Sequence, residues 1–471
     1  MKSGATQAPP LAGTGQRGNG TSGLALTLRP LAEALDRIES SGWGTGGDDV
    51  RNAAKLLAET AASDLDGLWS RAKSSPAGPI DVIDSFSGCG GMSAGFRAIN
   101  GAVGAYRLAA AVDIAEVANR TYEANYGLSP TSVDIAEVAR GRRLFSEIRG
   151  ARRMKAPLVL IGCAPCQGFS SHRNKAGIKD ARNSLFGDFA RIAVRLRPDA
   201  VVVENVPELL TDRYWPFLTE ARSRLEQSGY YVHLTVHNMA EFGLPQERFR
   251  ALMVAMPKPF RAPTGFLSRS EFRTVRHAIG DLPRVKAGDT HPSDEMHYSA
   301  GHKRSTIETI RAVPKDGGSR PEHIGPDCLR RAAKKNGRAV YEDVYGRLFW
   351  DRPAITITAY ARNPASGRYV HPEQDRGLTV REAALLQGFP RDYWFAGSLD
   401  QRFRQIGNAV PPTFAVFLAA HLLGELLAEP ARTEEFEPGI TEPVGPSFSR
   451  LIPALKAGHR QEVLSGARCS A

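Results

Sequence analysis

The stretch of sequence that decides the fold is LVLIGCAPCQGFS, residues 158–170. Its first four residues are apolar, and a short apolar run before turn residues indicates a buried parallel strand. Pro165 fixes the backbone just before Cys166, and Gly168 allows a sharp turn just after it. Because open α/β sheets bind ligands at the carboxyl ends of their strands, the Cys166 thiol is predicted to face a substrate.

Two cysteines lie in this stretch, and a buried structural thiol is the alternative to a nucleophile. Cys163 is expected where the strand is still packed, whereas the turn after Pro165 should point the Cys166 thiol away from the strand. Replacing Cys163 by Ala is therefore expected to cost only stability. The two cysteines form a Cys-x-x-Cys pair without a second pair of ligands, so no metal site is predicted.

Strand and helix patterns alternate on both sides of this stretch. The alternation predicts an α/β fold with a doubly wound, parallel, Rossmann-like sheet. The pattern stops at Pro257, and residues 258–350 are irregular and basic, which indicates a second, smaller domain. Residues 354–358 alternate as in a strand, and the apolar helix at 413–427 must return to the sheet to be buried.

A glycine-rich loop follows the first predicted strand, residues 80–86, and opens a helix. Glycines at this place let a cofactor approach the backbone at the helix N-terminus. Ser93 stands where a dinucleotide-binding fingerprint has its third glycine, which argues against a nicotinamide cofactor. Asp113 ends the next apolar strand, where an acid can either bind ribose hydroxyls or cap a helix.

Other polar residues are predicted at the same edge of the sheet. Glu204 follows the apolar strand at 200–203, and beside a nucleophile it is a candidate acid or base rather than a cap or ion-pair partner. Asp134 is a further acid in a plausible ligand position. Arg248 and Arg250 run into the next strand, in which they would share one face.

The domain organisation follows from these patterns. The amino-terminal part is predicted to be a disordered tail (1–27) and a helical accessory segment (28–73), which carries no chemical motif and is interpreted as a docking element. The remainder is predicted to be a catalytic domain (80–257), the second domain (258–350), a return to the catalytic domain (351–428) and a C-terminal tail (429–471).

Composition limits the class of protein. The net charge is +11, and residues 258–350 carry eighteen Lys and Arg against eleven Asp and Glu, which fits a polyanionic partner. Five cysteines in 471 residues indicate a reducing compartment. No run of 18 apolar residues predicts a membrane span, and the first 24 residues lack the apolar core of a signal peptide. We therefore expect a cytoplasmic protein.

In their order along the chain, these motifs resemble those of the C5-cytosine DNA methyltransferases. The resemblance covers residues 80–428 and rests on six short motifs, at 84–91, 165–167, 204–206, 246–250, 381–390 and 407–410. It implies a Rossmann-like methyltransferase sheet and the cofactor S-adenosyl-L-methionine. It also implies a cytosine flipped out of duplex DNA, with residues 258–350 as the target-recognition domain.

The resemblance implies roles for single residues. Cys166 would add to C6 of cytosine, Glu204 would pair with N3, and the catalytic arginines would be Arg248 and Arg250, the latter near O2 of the base. Ala409 stands where many family members have Ser and receives no role. The implied cofactor-binding residues are Phe86, Gly88, Gly90, Gly91, Asp113, Asp134, Ile135, Leu185 and Asn408.

Three alternative functions are weighed against this one. RNA cytosine methyltransferases on the same scaffold carry Cys-Phe-Thr, and no cysteine here precedes Phe. A nicotinamide-dependent dehydrogenase has no use for Pro165-Cys166-Gln167, and a binding protein that lost activity need not keep Cys166, Glu204 and Arg250. We expect a bacterial, nucleoid-associated monomer that acts on double-stranded DNA away from membranes. Whether a cognate restriction endonuclease is a partner is left open.

Overall fold

The computed structural model describes residues 27–37, 44–164, 185–336 and 341–457, with residues 332–336 described by their backbone only. The strands are β1 (Ile80–Ser85), β2 (Tyr106–Val112), β3 (Leu158–Gly162), β4 (Ala200–Asn205), β5 (Tyr231–Asn238), β6 (Phe249–Met256), β7 (Thr290–His291) and β8 (Asp294–Tyr298). The helices are α1 (Arg29–Asp36), α2 (Asp48–Ser63), α3 (Leu65–Ala72), α4 (Gly91–Ile99), α5 (Glu116–Tyr126), α6 (Ile135–Arg140), α7 (Arg143–Gly150), α8 (Leu185–Leu196), α9 (Trp215–Glu226), α10 (Val275–Ile279), α11 (Arg304–Arg311), α12 (Asp327–Asn336), α13 (Val380–Leu386), α14 (Leu399–Asn408), α15 (Pro412–Leu427) and α16 (Ile452–Lys456).

A six-stranded sheet, in the order β2-β1-β3-β4-β6-β5, forms the centre of the molecule. The first four of these strands are parallel to one another. The strand order reverses between β1 and β3, because the chain runs outward to β2 and then returns past β1. Such a reversal opens a crevice at the carboxyl ends of the strands. The predicted Rossmann-like α/β fold is confirmed.

The expectation of an all-parallel sheet is wrong at one strand. β6 is antiparallel to both of its neighbours, β4 and β5. The segment between β5 and β6, residues 239–248, holds only one short 3₁₀ helix and a turn at Gly243, where φ is +87°. A parallel connection needs a crossover of a dozen or more residues, so this short segment can return the chain only in the opposite direction.

Apolar clusters cover both faces of the sheet. Val82, Val159 and Val202 point towards α2, α4 and α15, whereas Ile83 and Leu160 point towards α6, α8 and α9. Neighbouring residues in a strand alternate between the faces, so the apolar residues of these strands supply both clusters. Helices on both faces make the sheet doubly wound.

The amino-terminal helices belong to the main core. Buried side chains of α2, including Leu57, share one cluster with Phe414 and Leu418 of α15. The backbone also joins them, because Gly46 N donates to Leu427 O at 2.9 Å and Glu429 N donates to Gly46 O at 2.7 Å. The domain boundaries remain a prediction, but this packing does not support a separable docking element.

Helix α15 is the return that the sequence requires. Nearly every residue of α15 is buried, and Gly95 of α4 lies so close that a Cβ atom there would be 2.1 Å from the Ala415 carbonyl carbon. The helical run Leu399–Leu427 has the length and composition of a membrane span, yet 94% of its most apolar window is buried within the molecule. It is therefore the core helix that covers one face of the sheet, as predicted.

The strand predicted at residues 354–358 is absent. Only Ala354 makes a β-bridge, and it pairs with Gln246. The segment instead bonds with the turn before β6: Ala354 N donates to Pro245 O at 2.9 Å, and Thr356 Oγ1 donates to Glu247 O at 2.9 Å. Ala354 and Ile357 are buried in an apolar cluster with Val380 and Phe403 rather than by a sheet.

A third apolar cluster joins the predicted second domain to the segment that follows it. Val275 and Met296 pack with Val380 of α13 and Phe403 of α14. A buried ion pair, Arg376 Nη2 to Glu382 Oε1 at 2.7 Å, lies beside them. This shared core spans the predicted boundary at residues 350 and 351, which stays a prediction.

The C-terminal segment runs along β5, the edge strand of the sheet. Leu234 N donates to Pro438 O at 3.1 Å, and Ile440 N donates to Leu234 O at 2.8 Å. Further along, Val444 N donates to Leu210 O at 3.0 Å. An exposed edge strand is a site for unwanted pairing, and this segment covers it.

Candidate active site

The carboxyl ends of β1, β3 and β4 lie side by side and define the candidate active site. Ser85 pairs with Gly162, which in turn pairs with Val203, so the loops that follow begin at one level. This arrangement brings together the glycine loop after β1, Cys163 after β3 and Glu204 in β4. Cys166 lies within residues 165–184, outside the described residues, and its role stays a prediction.

Glu204 is the buried acid of this site, with 2% of the residue exposed. Its Oε2 atom accepts a hydrogen bond from Cys163 Sγ at 3.0 Å. Its Oε1 atom lies 3.0 Å from Arg250 Nε, in an ion pair whose geometry is not that of an aligned hydrogen bond. A buried carboxylate needs such partners, because an unpaired buried charge costs several kcal/mol.

The structure corrects the expected position of Cys163. β3 ends at Gly162, so Cys163 is the first residue of the loop and is half-buried instead of packed inside the strand. Its thiol therefore contacts the acid predicted to be catalytic. The loop is fixed just after it, because Asn205 Nδ2 donates to Ala164 O at 3.2 Å.

Arg248 and Arg250 occupy different environments. Arg248 precedes β6 and is 2% exposed, and its guanidinium donates to the carbonyls of Ile357, Gly407 and Ala409 at 3.2–3.3 Å. Arg250, inside β6, faces Glu204. The described contacts of Arg248 are those of a residue that positions the chain, while its predicted catalytic role stays untested.

Gln246 works beside Arg248 in the same motif. Its Nε2 donates to Gln387 Oε1 at 2.9 Å, and its Oε1 accepts from Ile357 N at 2.9 Å. Gln387 Nε2 then donates to Ala409 O at 2.8 Å. Together these hydrogen bonds connect the segments around Ile357, Gln387 and Ala409 to the turn that precedes β6. The two glutamines belong to two of the sequence motifs, 246–250 and 381–390, but neither motif indicated this role.

The glycine loop has three residues in left-handed conformations. φ is +62° at Phe86, +52° at Gly88 and +88° at Gly90. Glycine adopts such values readily, whereas Phe86 does so at a steric cost that the surrounding structure must offset. Gly91 begins α4, where a Cβ atom would lie 2.3 Å from Val410 O. The loop therefore requires glycine both for its turns and for close packing.

The loop fits the nucleoside cofactor implied by the family resemblance. A Cβ atom at Gly88 would meet no described atom within 4 Å, so the backbone borders open space. Ser87 is 6% exposed, and its Oγ has no hydrogen-bond partner in the described part of the chain. Asp113 Oδ2 accepts from Gly88 N at 2.8 Å. Burial raises the pKa of the Asp113 carboxyl, although backbone amides oppose the shift.

The remaining predicted cofactor residues lie around this loop. Asp134 Oδ1 caps α6 by accepting from Ala136 N at 2.8 Å, and Ile135 beside it is buried. Leu185 is the first residue of α8 and is half-buried. Asn408 is exposed at the end of α14, next to the Ala409–Val410 segment that touches Gly91. Their contacts with a cofactor stay predictions.

Another cysteine near the site is unsuited to nucleophilic chemistry. Cys89 is 3% exposed within the glycine loop, and burial raises the pKa of its thiol to about 12. A thiol reacts as its thiolate, so Cys89 is inert near neutral pH.

Comparison with known proteins identifies the family. The sequence profile of the C-5 cytosine-specific DNA methylases matches residues 80–424. The chain belongs to this family of methylases. The methylase resembles the Type II methylase M.HgiDII of Herpetosiphon aurantiacus, with 34% identity over 345 residues that cover 70% of this chain and 91% of the relative.

Two further comparisons agree with this membership. The Type II methyltransferase M1.BsuMI of Bacillus subtilis is 33% identical over 374 residues, which cover 76% of the methylase and 85% of the relative. A crystal structure described as a DNA modification methyltransferase of an E. coli prophage aligns with a TM-score of 0.57 at 22% identity, covering 74% of this chain and 99% of that one. The latter similarity supports the fold alone.

Proposed function

We propose that this DNA cytosine-5 methyltransferase flips a cytosine out of double-stranded DNA and methylates it at C5 through a covalent bond to Cys166. The observation that carries the proposal is the buried Glu204, whose carboxylate is contacted by Cys163 and Arg250 beside the glycine loop. Glu204, Arg250 and the glycine loop therefore lie near the end of β3, and Cys166 follows β3 in the sequence.

The proposed first step is addition of the Cys166 thiolate to C6 of cytosine. The new S–C6 bond displaces the electron pair of the C5–C6 double bond towards C4 and N3. Glu204, protonated once the base has entered the site, gives that proton to N3 and becomes a carboxylate paired with Arg250, so no full negative charge accumulates on the ring. C5 thereby becomes nucleophilic.

The later steps restore the aromatic base. When bound, S-adenosyl-L-methionine supplies the methyl group that C5 receives. A base then removes the C5 proton, the electron pair re-forms the C5–C6 double bond, the thiolate of Cys166 leaves, and the N3 proton returns to Glu204. Arg250 is proposed to contact the base near O2 while its guanidinium neutralises the acid.

Residues 86–91, Asp113, Asp134, Ile135, Leu185 and Asn408 are proposed to hold the cofactor. Gly88 would lie against it because nothing described within 4 Å occupies the space of a Cβ atom there. The Ser87 hydroxyl and the Asp113 carboxylate are the polar groups of the loop that would orient the nucleoside.

Access to the base requires that it leave the stack, at a cost of a few kcal/mol. The surplus of basic residues in 258–350 is proposed to bind phosphates and to read bases in a groove. The relatives are named as Type II methyltransferases, which supports the proposal of a cognate restriction endonuclease as partner. We also propose that the protein is a bacterial, nucleoid-associated monomer.

The test uses purified full-length protein with labelled S-adenosyl-L-methionine and either duplex DNA or transfer RNA. We expect label in DNA, at cytosine, and none in RNA. DNA containing 5-fluorocytosine should form a complex that survives denaturation, because fluorine cannot leave C5 as a proton does. Labelled RNA, or trapping that persists in Cys166→Ala, would contradict the proposal.

A further inference from the structure

Trp69 of α3 lies against two tyrosines that approach the glycine loop. The indole is 2% exposed, and its ring centre is 5.8 Å from that of Tyr126, edge to face, and 5.6 Å from that of Tyr393. Aromatic pairs at such distances stabilise one another by about 0.5–1.5 kcal/mol beyond burial alone. Trp69 therefore restricts the positions of both tyrosine rings.

The two tyrosines bond directly to the backbone of the loop. Tyr126 Oη donates to Gly90 O at 2.5 Å, and Tyr393 Oη donates to Cys89 O. The two hydroxyl oxygens are 3.2 Å apart. A Cβ atom at Gly90 would lie 2.3 Å from the Tyr126 ring, so the ring also borders the loop sterically. The orientation of two loop peptides thus depends on these rings.

Helix α3 is also fixed to α4, which the loop opens. Arg97 of α4 places its guanidinium 5.5 Å from the Trp69 ring centre and 5.7 Å from that of Tyr126. At the far end of α4, Arg71 Nε donates to Gly101 O at 3.0 Å. A Cβ atom at Gly101 would lie 2.1 Å from Leu68 O, so the two backbones are in close contact.

We propose that Trp69 is a positioning residue for cofactor binding, which acts through Tyr126 and Tyr393 on the carbonyls of Gly90 and Cys89. The inference rests on the proposed binding of S-adenosyl-L-methionine at this loop. The amino-terminal segment, which carries no family motif, is then part of the cofactor-binding machinery. Loss of the indole frees the tyrosines, and the loop loses the conformation that the cofactor needs.

The experiment measures binding of S-adenosyl-L-methionine and S-adenosylhomocysteine to the full-length protein by calorimetry, without DNA. We expect Trp69→Ala to raise Kd about tenfold. Trp69→Phe retains a ring and should stay within about threefold of the wild type. Tyr393→Phe removes only the hydroxyl donor and should also weaken binding. Methylation assays should show a raised KM for the cofactor and an unchanged KM for DNA.

Trp215→Ala is the control for loss of an indole, because Trp215 of α9 is half-buried against a different cluster from that of Trp69. It should leave cofactor affinity unchanged. If Trp69→Ala does not fold, Trp69→Leu decides the matter, because it keeps an apolar side chain without the aromatic contacts. Wild-type affinity in the folded Trp69 variants, or equal weakening in Trp215→Ala, would overturn the inference. A wild-type protein that binds neither compound would instead overturn the proposed function on which the inference rests.

Discussion

The thiol of Cys163 lies 3.0 Å from the carboxylate of Glu204, so the first cysteine of the Cys-x-x-Cys pair contacts the proposed acid of the reaction. The thiol is a weak donor, but in a buried site it limits the directions in which the carboxylate can point. A flipped cytosine that approaches Glu204 must share or replace this contact. Cys163 thus packs against the main apolar cluster and also contacts the proposed acid.

Cys163→Ala is expected to lower kcat by about tenfold, or 1.4 kcal/mol of barrier, because Glu204 loses a contact that orients it. Cys163→Ser keeps a donor and should retain most of the activity. Steady-state kinetics on both variants, with thermal unfolding as a control for folding, measure this difference. Equal kcat values in the wild type and Cys163→Ala would restore the simpler expectation that this cysteine serves stability alone.

Arg250→Ala is expected to destabilise the protein by about 2 kcal/mol, because it leaves the buried carboxylate of Glu204 without its counter-charge. Glu204→Gln removes that charge, so the double variant should be more stable than Arg250→Ala alone. Urea unfolding of the two single variants and the double variant gives the coupling energy. Strictly additive effects would show that the ion pair contributes nothing to stability. Both single variants should also lose at least about 100-fold in kcat.

Deletion of residues 1–74 is expected to give insoluble protein. Leu31 and Leu57 are buried in the cluster on one face of the sheet, and Trp69 is buried in the cluster that contains Val275 and Val380. Each large side chain contributes about 1.5–3 kcal/mol on burial. Their combined loss rivals a total stability of about 5–15 kcal/mol. Deletion of residues 1–26 is the control and should leave folding intact. A soluble 75–471 fragment with a cooperative melting transition would refute this expectation.

Asp84 makes stability depend on pH. Burial raises the pKa of its carboxyl to about 7, and Asp113 adds to the shift while the hydrogen bond from Ser93 opposes it. The unfolded chain ionises near pH 4, so the folded state holds the extra proton between about pH 4 and 7. Stability therefore falls as pH rises through this window and is level above it.

Asp84→Asn removes this titration and can still accept the hydrogen bond from Ser93. Its stability relative to the wild type should rise between pH 4 and 7, by up to about 4 kcal/mol.

Asp81 gives the opposite case. Burial alone would raise the pKa of its carboxyl, but hydrogen bonds from Arg107 and Arg153 lower it. Asp81→Asn should lose relative stability as pH rises towards about 4, where the carboxyl of the unfolded chain ionises, and should change little above that pH. Denaturant unfolding at several pH values measures both trends, and a flat Asp84→Asn difference would contradict the first.

The sequence predicted well those features that depend on local patterns. Apolar runs placed β1, β3 and β4, and the sheet brings Glu204 and the glycine loop to one edge, as expected. The predictions were less accurate where side-chain direction or distant partners decide the outcome. Cys163 contacts Glu204 because β3 ends at Gly162, so that Cys163 lies in the loop and not in the strand, where it was expected.

Distant partners explain the other differences. Arg248 faces backbone carbonyls of Ile357, Gly407 and Ala409, more than a hundred residues away in the chain, which no local pattern indicates. The amino-terminal helices lacked a motif, yet their apolar faces were visible in the sequence. What the sequence did not indicate was that α15 and the aromatic cluster beside the loop are the surfaces they cover.

The shared cluster of α2 and α15 has a consequence for synthesis on the ribosome. One face of the sheet is covered only when residues 412–427, late in the chain, pack with helices made at its beginning. Until then only the helices made early, α2 and α4, can cover Val82, Val159 and Val202 on that face. The nascent methylase is therefore expected to expose part of an apolar sheet face through most of its translation, and its yield in cells should depend on chaperones that bind such surfaces before the last helix emerges.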